Sequence, residues 1–338
     1  MGGHFENILV IKLRYIGDVL LTTPLFRVLR EQFPQARLTA LVNQGTEPVL
    51  KHNSCLDQIE VLPQGNWVQQ IKFLRFIRSC RFDCVIDVSD GDRSAFLTAI
   101  SGARMKIGFN REGLWRGRVY SWSIKGQYGK MHMLDYHAQL LIPLGMEPRV
   151  CAPELNVSDE ECQAAEPILA NYGLKDTNWV MLHPGARYWF KAWPPERFAA
   201  LGDALVKEGF QVVLVGSEPE QKVAEEVIQA GQQKFVSLVG KTTLRELAAL
   251  MKQCRIFVGN DAGPMHMAAA VGCPVVALFG PTDPAVWGPR GKSCHTIYKG
   301  LDCRECFYPG CQKGEMSCMK RISVDEVLQA VKPLLSEA

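Results

Sequence analysis

Ile11-Lys12-Leu13-Arg14-Tyr15-Ile16-Gly17-Asp18-Val19-Leu20-Leu21-Thr22-Thr23-Pro24 sets the architecture. The stretch Ile8 to Leu13 reads as a strand, Gly17 lies in the turn that follows it, and a helix starts at about Asp18. Strand, glycine turn and helix in that order open a doubly wound α/β unit, whose ligands bind at the strand's C-terminal rim.

The alternation continues outward from this stretch. The first half predicts further strands at Leu38 to Val42, Ile59 to Leu62 and Cys84 to Val88, with helices from about Trp67 and Arg93. In the second half, strands at Val180 to His183, Val212 to Val215, Val236 to Val239, Ile256 to Val258 and Val275 to Phe279 alternate with helices from about Pro195, Glu220, Leu244 and Pro264. Val/Ile/Leu runs between helical segments are what a parallel sheet covered on both faces requires. The segment Gly145 to Lys175 holds Pro148, Pro153 and a helix-starting Ser158-Asp159-Glu160-Glu161, and it separates the halves. The expected organisation is α/β: one Rossmann-like domain over 1–160, a second over 161–322, and a closing helix over 323–338.

With 338 residues, 47% apolar and 22% charged, the chain can bury two cores and is neither fibrous nor disordered. The first apolar run is framed by Glu6 and Lys12 and is too short for a secretory signal, and Met267 to Pro281 is interrupted by Gly272, Pro274 and Gly280. A cytoplasmic protein with reduced thiols is therefore expected, despite twelve cysteines. The net charge of +3 conceals a local excess: Arg104 to Lys130 carries seven cations against Glu112 alone. Such a field suits an anionic partner.

Several motifs fail on inspection. Val239-Gly240-Lys241-Thr242-Thr243 lacks the first glycine of a P-loop, whose place is held by Phe235, and no G-x-G-x-x-G follows a predicted strand. Phosphate-loop and dehydrogenase chemistry are thereby disfavoured. Asp90-Gly91-Asp92 reads as a turn, with divalent-cation binding as the alternative. Cys303, Cys306, Cys311 and Cys318 could close a structural metal site or remain free thiols; their spacing is not that of a zinc ribbon.

Three stretches can carry chemistry. Asp18 sits where a strand gives way to a helix, either capping that helix or serving as a general base. In His183-Pro184-Gly185-Ala186-Arg187-Tyr188-Trp189-Phe190-Lys191, the cations Arg187 and Lys191 leave a strand end and suit a diphosphate. In Gly259-Asn260-Asp261-Ala262-Gly263-Pro264-Met265-His266, a helix start offers amides to an anion, and Asp261 either caps that helix or accepts sugar hydroxyls. Glu218, after another strand, could take ribose hydroxyls.

At these motifs the chain resembles the heptosyltransferases of lipopolysaccharide inner-core synthesis, the ADP-heptose-using family of GT-B glycosyltransferases. The carriers are Ile11-Lys12-Leu13-Arg14 with Gly17-Asp18 and Leu21-Thr22-Thr23-Pro24, then Ala186-Arg187 with Phe190-Lys191 and Trp193, then Asp261 with Pro264 and His266. The first two blocks look most like the heptosyltransferase III type.

The resemblance implies two Rossmann-like domains facing a central cleft, the first binding acceptor and the second an ADP-sugar. It implies an inverting transfer in which Asp18 deprotonates an acceptor hydroxyl and Lys191 meets the departing ADP. Gly17, Thr22, Thr23, Gly185, Arg187, Lys191, Glu218, Asp261, Gly263, Pro264, Met265 and His266 would bind donor. Arg14, Arg111, Arg116 and Arg118 would bind a phosphorylated inner-core acceptor at the cytoplasmic face of the inner membrane. No cofactor, catalytic metal or nucleic acid is implied. The alternatives are a transferase of the same family using another nucleotide sugar, and a non-catalytic sugar-nucleotide or lipopolysaccharide-binding protein.

Overall fold

The computed structural model describes residues 4–110, 113, 115–175, 177–300, 306, 311 and 313–337. It divides into two compact units, Met1–Asn156 and Val157–Ala338. The division falls just before Ser158, which caps the helix Asp159–Asn171 in a reciprocal box with Glu161.

The first unit is built on six parallel strands: β1 (Asn7–Lys12), β2 (Arg37–Asn43), β3 (Gln58–Leu62), β4 (Cys84–Asp87), β5 (Met105–Phe109) and β6 (Trp122–Ile124), in the order β3-β2-β1-β4-β5-β6. Ile8, Leu9, Val10 and Ile11 are fully buried because β1 is central and helices cover both faces. β1 pairs Ile8 with Leu38 on one side and with Cys84 on the other. The sheet order reverses between β1 and β4, and Lys12 and Asp87 end those two strands. That is the point at which a sheet of this type receives its ligands.

Two strands, β5 and β6, lie inside the basic segment and were not expected from its sequence. Lys106 and Gly108 interrupt the apolar pattern, and β6 is a three-residue edge strand with Trp122 and Ser123 exposed. Gly108 is required there: a Cβ would meet the Tyr120 ring at 2.4 Å, and that ring carries a hydroxyl to Asp87. The single helix expected from Asp18 is two helices, Ile16–Leu20 and Thr23–Gln32. Pro24 lacks an N–H and is accommodated in the first turn of the second helix.

The second unit repeats the topology with β7 (Trp179–His183), β8 (Gln211–Leu214), β9 (Val236–Ser237), β10 (Phe257–Asn260), β11 (Val275–Phe279) and β12 (Cys294–Tyr298), in the order β12-β11-β10-β7-β8-β9. All pairs are parallel, and the order again reverses between the first and fourth strands, here β7 and β10. β12 was missed because its Cys-His-Thr start carries no apolar run. The closing helix Val324–Glu337 places Val327, Val331 and Leu335 in the same core as Trp193, Phe198 and Val258. No helix among the described residues is long and apolar enough to cross a membrane.

Candidate functional site

In the first unit, chemistry gathers at the C-terminal ends of β1 and β4. Asp18 lies in the first turn of Ile16–Leu20, whose cap position is Tyr15, so capping is not its role. Its carboxylate lies 3.6 Å from Lys12 Nζ, with the lysine side chain 4% and the aspartate side chain 20% exposed. Lys12 Nζ also donates to Val88 O at 3.2 Å and contacts His137 Nε2 at 3.1 Å, while His137 Nδ1 lies 3.0 Å from Leu21 O. Burial pushes both groups below their usual ranges, His137 furthest because the Lys12 charge adds to burial; for Lys12 the Asp18 charge opposes it.

Around this centre, Gly17 is buried, and Thr22 and Thr23 are turned inward. Thr22 Oγ1 donates to Asp18 O and Thr23 Oγ1 to Leu20 O, so these buried threonines hold the break between the helices. Arg14 is exposed, with Nε 3.3 Å from Ser89 O.

The basic segment is less open than its charge suggested. Arg116 is buried, donates to Asp90 O at 2.9 Å and pairs with the carboxylates of Asp90 and Asp92. That corrects one expectation, since Arg116 is spent inside the fold, and it fits the reading of Asp90-Gly91-Asp92 as a turn, whose two carboxylates share one guanidinium. Asp90 takes a left-handed φ of 51° to make the turn. Arg118 is exposed, and Arg111 lies outside the described residues.

In the second unit, Asn260 ends β10 fully buried and fastens the loop after β7. Its Oδ1 accepts from Trp193 N at 3.0 Å, and its Nδ2 donates to Pro184 O at 2.9 Å and Gly185 O at 3.2 Å. Trp193, itself buried, anchors the far end of the loop through Nε1 to Ile322 O. The turn Trp189–Lys191 is thereby held so that Lys191 Nζ meets Asp261 Oδ2 at 2.5 Å. Asp261 is not the cap of Gly263–Val271, which is Ala262. Arg187 is exposed beside the Tyr188 ring, Gly263 and Pro264 are half-buried, and Met265 and His266 are buried. The Met265 side chain packs inward.

The carboxylate that turns back to β7 is Glu220, while Glu218 is exposed. Glu220 Oε1 lies 3.3 Å from His183 Nε2, and its Oε2 accepts from Ser217 N and Ser217 Oγ at 2.7 Å each. Burial pushes this group up, but the nearby His183 ring and the hydrogen bonds from Ser217 outweigh it and hold it at about 2. Gly185 serves this contact: a Cβ there would lie 1.8 Å from Glu220 Oε1.

Sequence reasoning missed Lys12, His137, Asn260, His183 and Glu220. Their signal was position, since Lys12, His183 and Asn260 each end a central strand. Of the four-cysteine group, Cys318 is buried in the second core, Cys306 and Cys311 are half-buried, and Cys303 lies outside the described residues. No group of three His, Cys, Asp or Glu among the described residues is placed to hold a metal ion.

Comparison with known proteins gives a consistent result. Residues 70–317 match the family glycosyltransferase family 9 (heptosyltransferase). The chain is 31% identical over 301 residues to lipopolysaccharide heptosyltransferase 3 of Escherichia coli K12, covering 85% of this chain and 86% of that protein. It is 25% identical over 360 residues to lipopolysaccharide heptosyltransferase 2 of Salmonella typhimurium LT2, covering 98% and 99%. In structure it superposes on a glycosyl transferase family 9 protein from Veillonella parvula with a TM-score of 0.88 at 25% identity, covering 100% and 99%. With E. coli ADP-heptose lps heptosyltransferase II the TM-score is 0.82 at 24% identity, covering 98% and 99%, a likeness of fold. The GT-B pairing of two Rossmann-like units is thus the architecture of this chain.

Proposed function

The chain belongs to glycosyltransferase family 9, the heptosyltransferases, and on that premise we propose that this glycosyltransferase moves a heptose from ADP-heptose to a heptose of the lipopolysaccharide inner core. The type III reaction, addition of a side-branch heptose, is favoured by the heptosyltransferase 3 relative. The observation that carries the mechanism is the Asp18 carboxylate, partly exposed at the β1 end while the lysine beside it is buried.

Asp18 takes the proton of an acceptor hydroxyl, and that oxygen bonds to the anomeric carbon. The bond from that carbon to the ADP oxygen breaks with its electron pair, and one displacement inverts the centre. Lys191, held by Asp261, and the exposed Arg187 meet the charge that grows on the departing diphosphate. The half-buried Gly263 and Pro264, which follow Asp261 in the chain, bind the donor, and the exposed Arg14 and Arg118 meet phosphates of the acceptor. The first unit then serves the acceptor and the second the donor, with the chain working peripherally at the cytoplasmic face of the inner membrane.

The test is nucleotide release from ADP-heptose, with UDP-sugars as controls, with and without an inner-core acceptor carrying two heptoses. Acceptor-dependent ADP release is expected. Release only from a UDP-sugar would contradict the donor, and release indifferent to acceptor would contradict the transfer.

A further inference from the structure

We propose that Lys12 is a positioning residue for Asp18, its buried ammonium clamped by Val88 and His137 so that its one remaining hydrogen is directed at the carboxylate. The inference rests on the reading of Asp18 as the base, and the geometry is a matter of counting protons. An ammonium has three donors. One goes to Val88 O at 3.2 Å, where β4 ends; a second goes to His137 Nε2 at 3.1 Å. The imidazole is fixed from its other side, since Nδ1 can only donate to Leu21 O, 3.0 Å away, and this leaves Nε2 as the acceptor. The third hydrogen is left for Asp18 Oδ1 at 3.6 Å.

That separation gives an ion pair without a short hydrogen bond. It directs the carboxylate while leaving its lone pairs available to a substrate proton. Arg14 and Asp87 also act on the Lys12 charge, and His132 acts on His137. Burial keeps His137 neutral, the form that can accept from Lys12. A lysine buried for packing alone is a poor choice, because an apolar residue of similar volume at a buried ion pair is often as stable or more so. The ammonium is therefore explained by what it does to Asp18.

The test uses the full chain, with kcat and donor KM read from acceptor-dependent ADP release and folding read from thermal melting. Lys12→Met is expected to fold and to bind donor with KM within about threefold, while kcat falls by roughly 10²-fold, the scale of an ångström-size misplacement. His137→Gln, which keeps an acceptor, should hold kcat within about tenfold of the parent, whereas His137→Leu should fall towards Lys12→Met. In Asp18→Asn, adding Lys12→Met should cost nothing further, because the two act as one unit.

A Lys12→Met enzyme with unchanged kcat, or losses that multiply in the double variant, would overturn the inference while leaving Asp18 as base. Equal kcat for His137→Gln and His137→Leu would overturn it as well, and that comparison stands even if Lys12→Met does not fold. Full turnover by Asp18→Asn would overturn the base itself, and the inference with it.

Discussion

Lys191 Nζ lies 2.5 Å from Asp261 Oδ2, so the loop after β7 is joined to the turn after β10 by one charged contact. An ammonium with one hydrogen committed to a buried carboxylate is fixed in place and keeps two donors for an anion. Arg187, four residues earlier, is exposed and lies beside the Tyr188 ring at 5.6 Å to the centroid. The two cations are therefore not equivalent. Lys191→Met should lower kcat by about 10² to 10³, the usual loss when one preorganised donor to developing charge is removed. Arg187→Ala should act mainly on donor KM. Steady-state kinetics on both variants checks the split, which fails if Arg187→Ala lowers kcat as much as Lys191→Met.

Asn260 predicts a stability effect. Truncation to alanine leaves Trp193 N, Pro184 O and Gly185 O without their partner in a buried place. At about 1 kcal/mol for each hydrogen bond lost, the cost is about 3 kcal/mol. For a unit of this size that corresponds to a melting temperature lower by roughly 6 to 12 °C. Calorimetry on Asn260→Ala should show it, and an unchanged melt would mean that the loop is held elsewhere.

Two carboxylates predict opposite pH dependences. Burial, against hydrogen bonds from Tyr120, Ser94 and Ser89, raises Asp87 from 3.8 to about 6. The fold thus favours its neutral form, and its contribution is full below pH 3.8 and lost as pH rises through 6. Glu220 is held at about 2 against an ordinary 4.5, so its contribution is present above pH 4.5 and lost as pH falls towards 2. Melting curves between pH 3 and 8 should show Asp87→Asn without the loss from pH 4 to 6, and Glu220→Gln without the loss below pH 4.5. Unaltered slopes would contradict these assignments.

The legibility of this fold in its sequence follows a physical division. Central strands such as β1 and β7 announce themselves as apolar runs because both faces are covered. Of the edge strands, β3 and β9 keep a short Val/Ile/Leu run and were legible, whereas β6 and β12 are half-exposed without one, and β5, inside the sheet, is broken by Lys106 and Gly108. At the site, Asp18, Lys191 and Asp261 stood out as charges at strand ends. Their partners did not, because the Lys12–His137 contact joins positions 125 residues apart and Asn260 acts only on backbone atoms. The basic segment misled for the converse reason, since sequence counts charges without showing that Arg116 is already matched by Asp90 and Asp92.

The role proposed for Asp18 as the group that accepts the acceptor's proton is read most directly from acceptor-dependent ADP release by Asp18→Asn beside the parent, with ADP-heptose binding measured on both by calorimetry. Donor affinity within a few-fold of the parent is expected, with turnover lower by about 10² or more, the low end of a positioned base's contribution. Turnover at the parent's rate with intact donor binding would contradict that role.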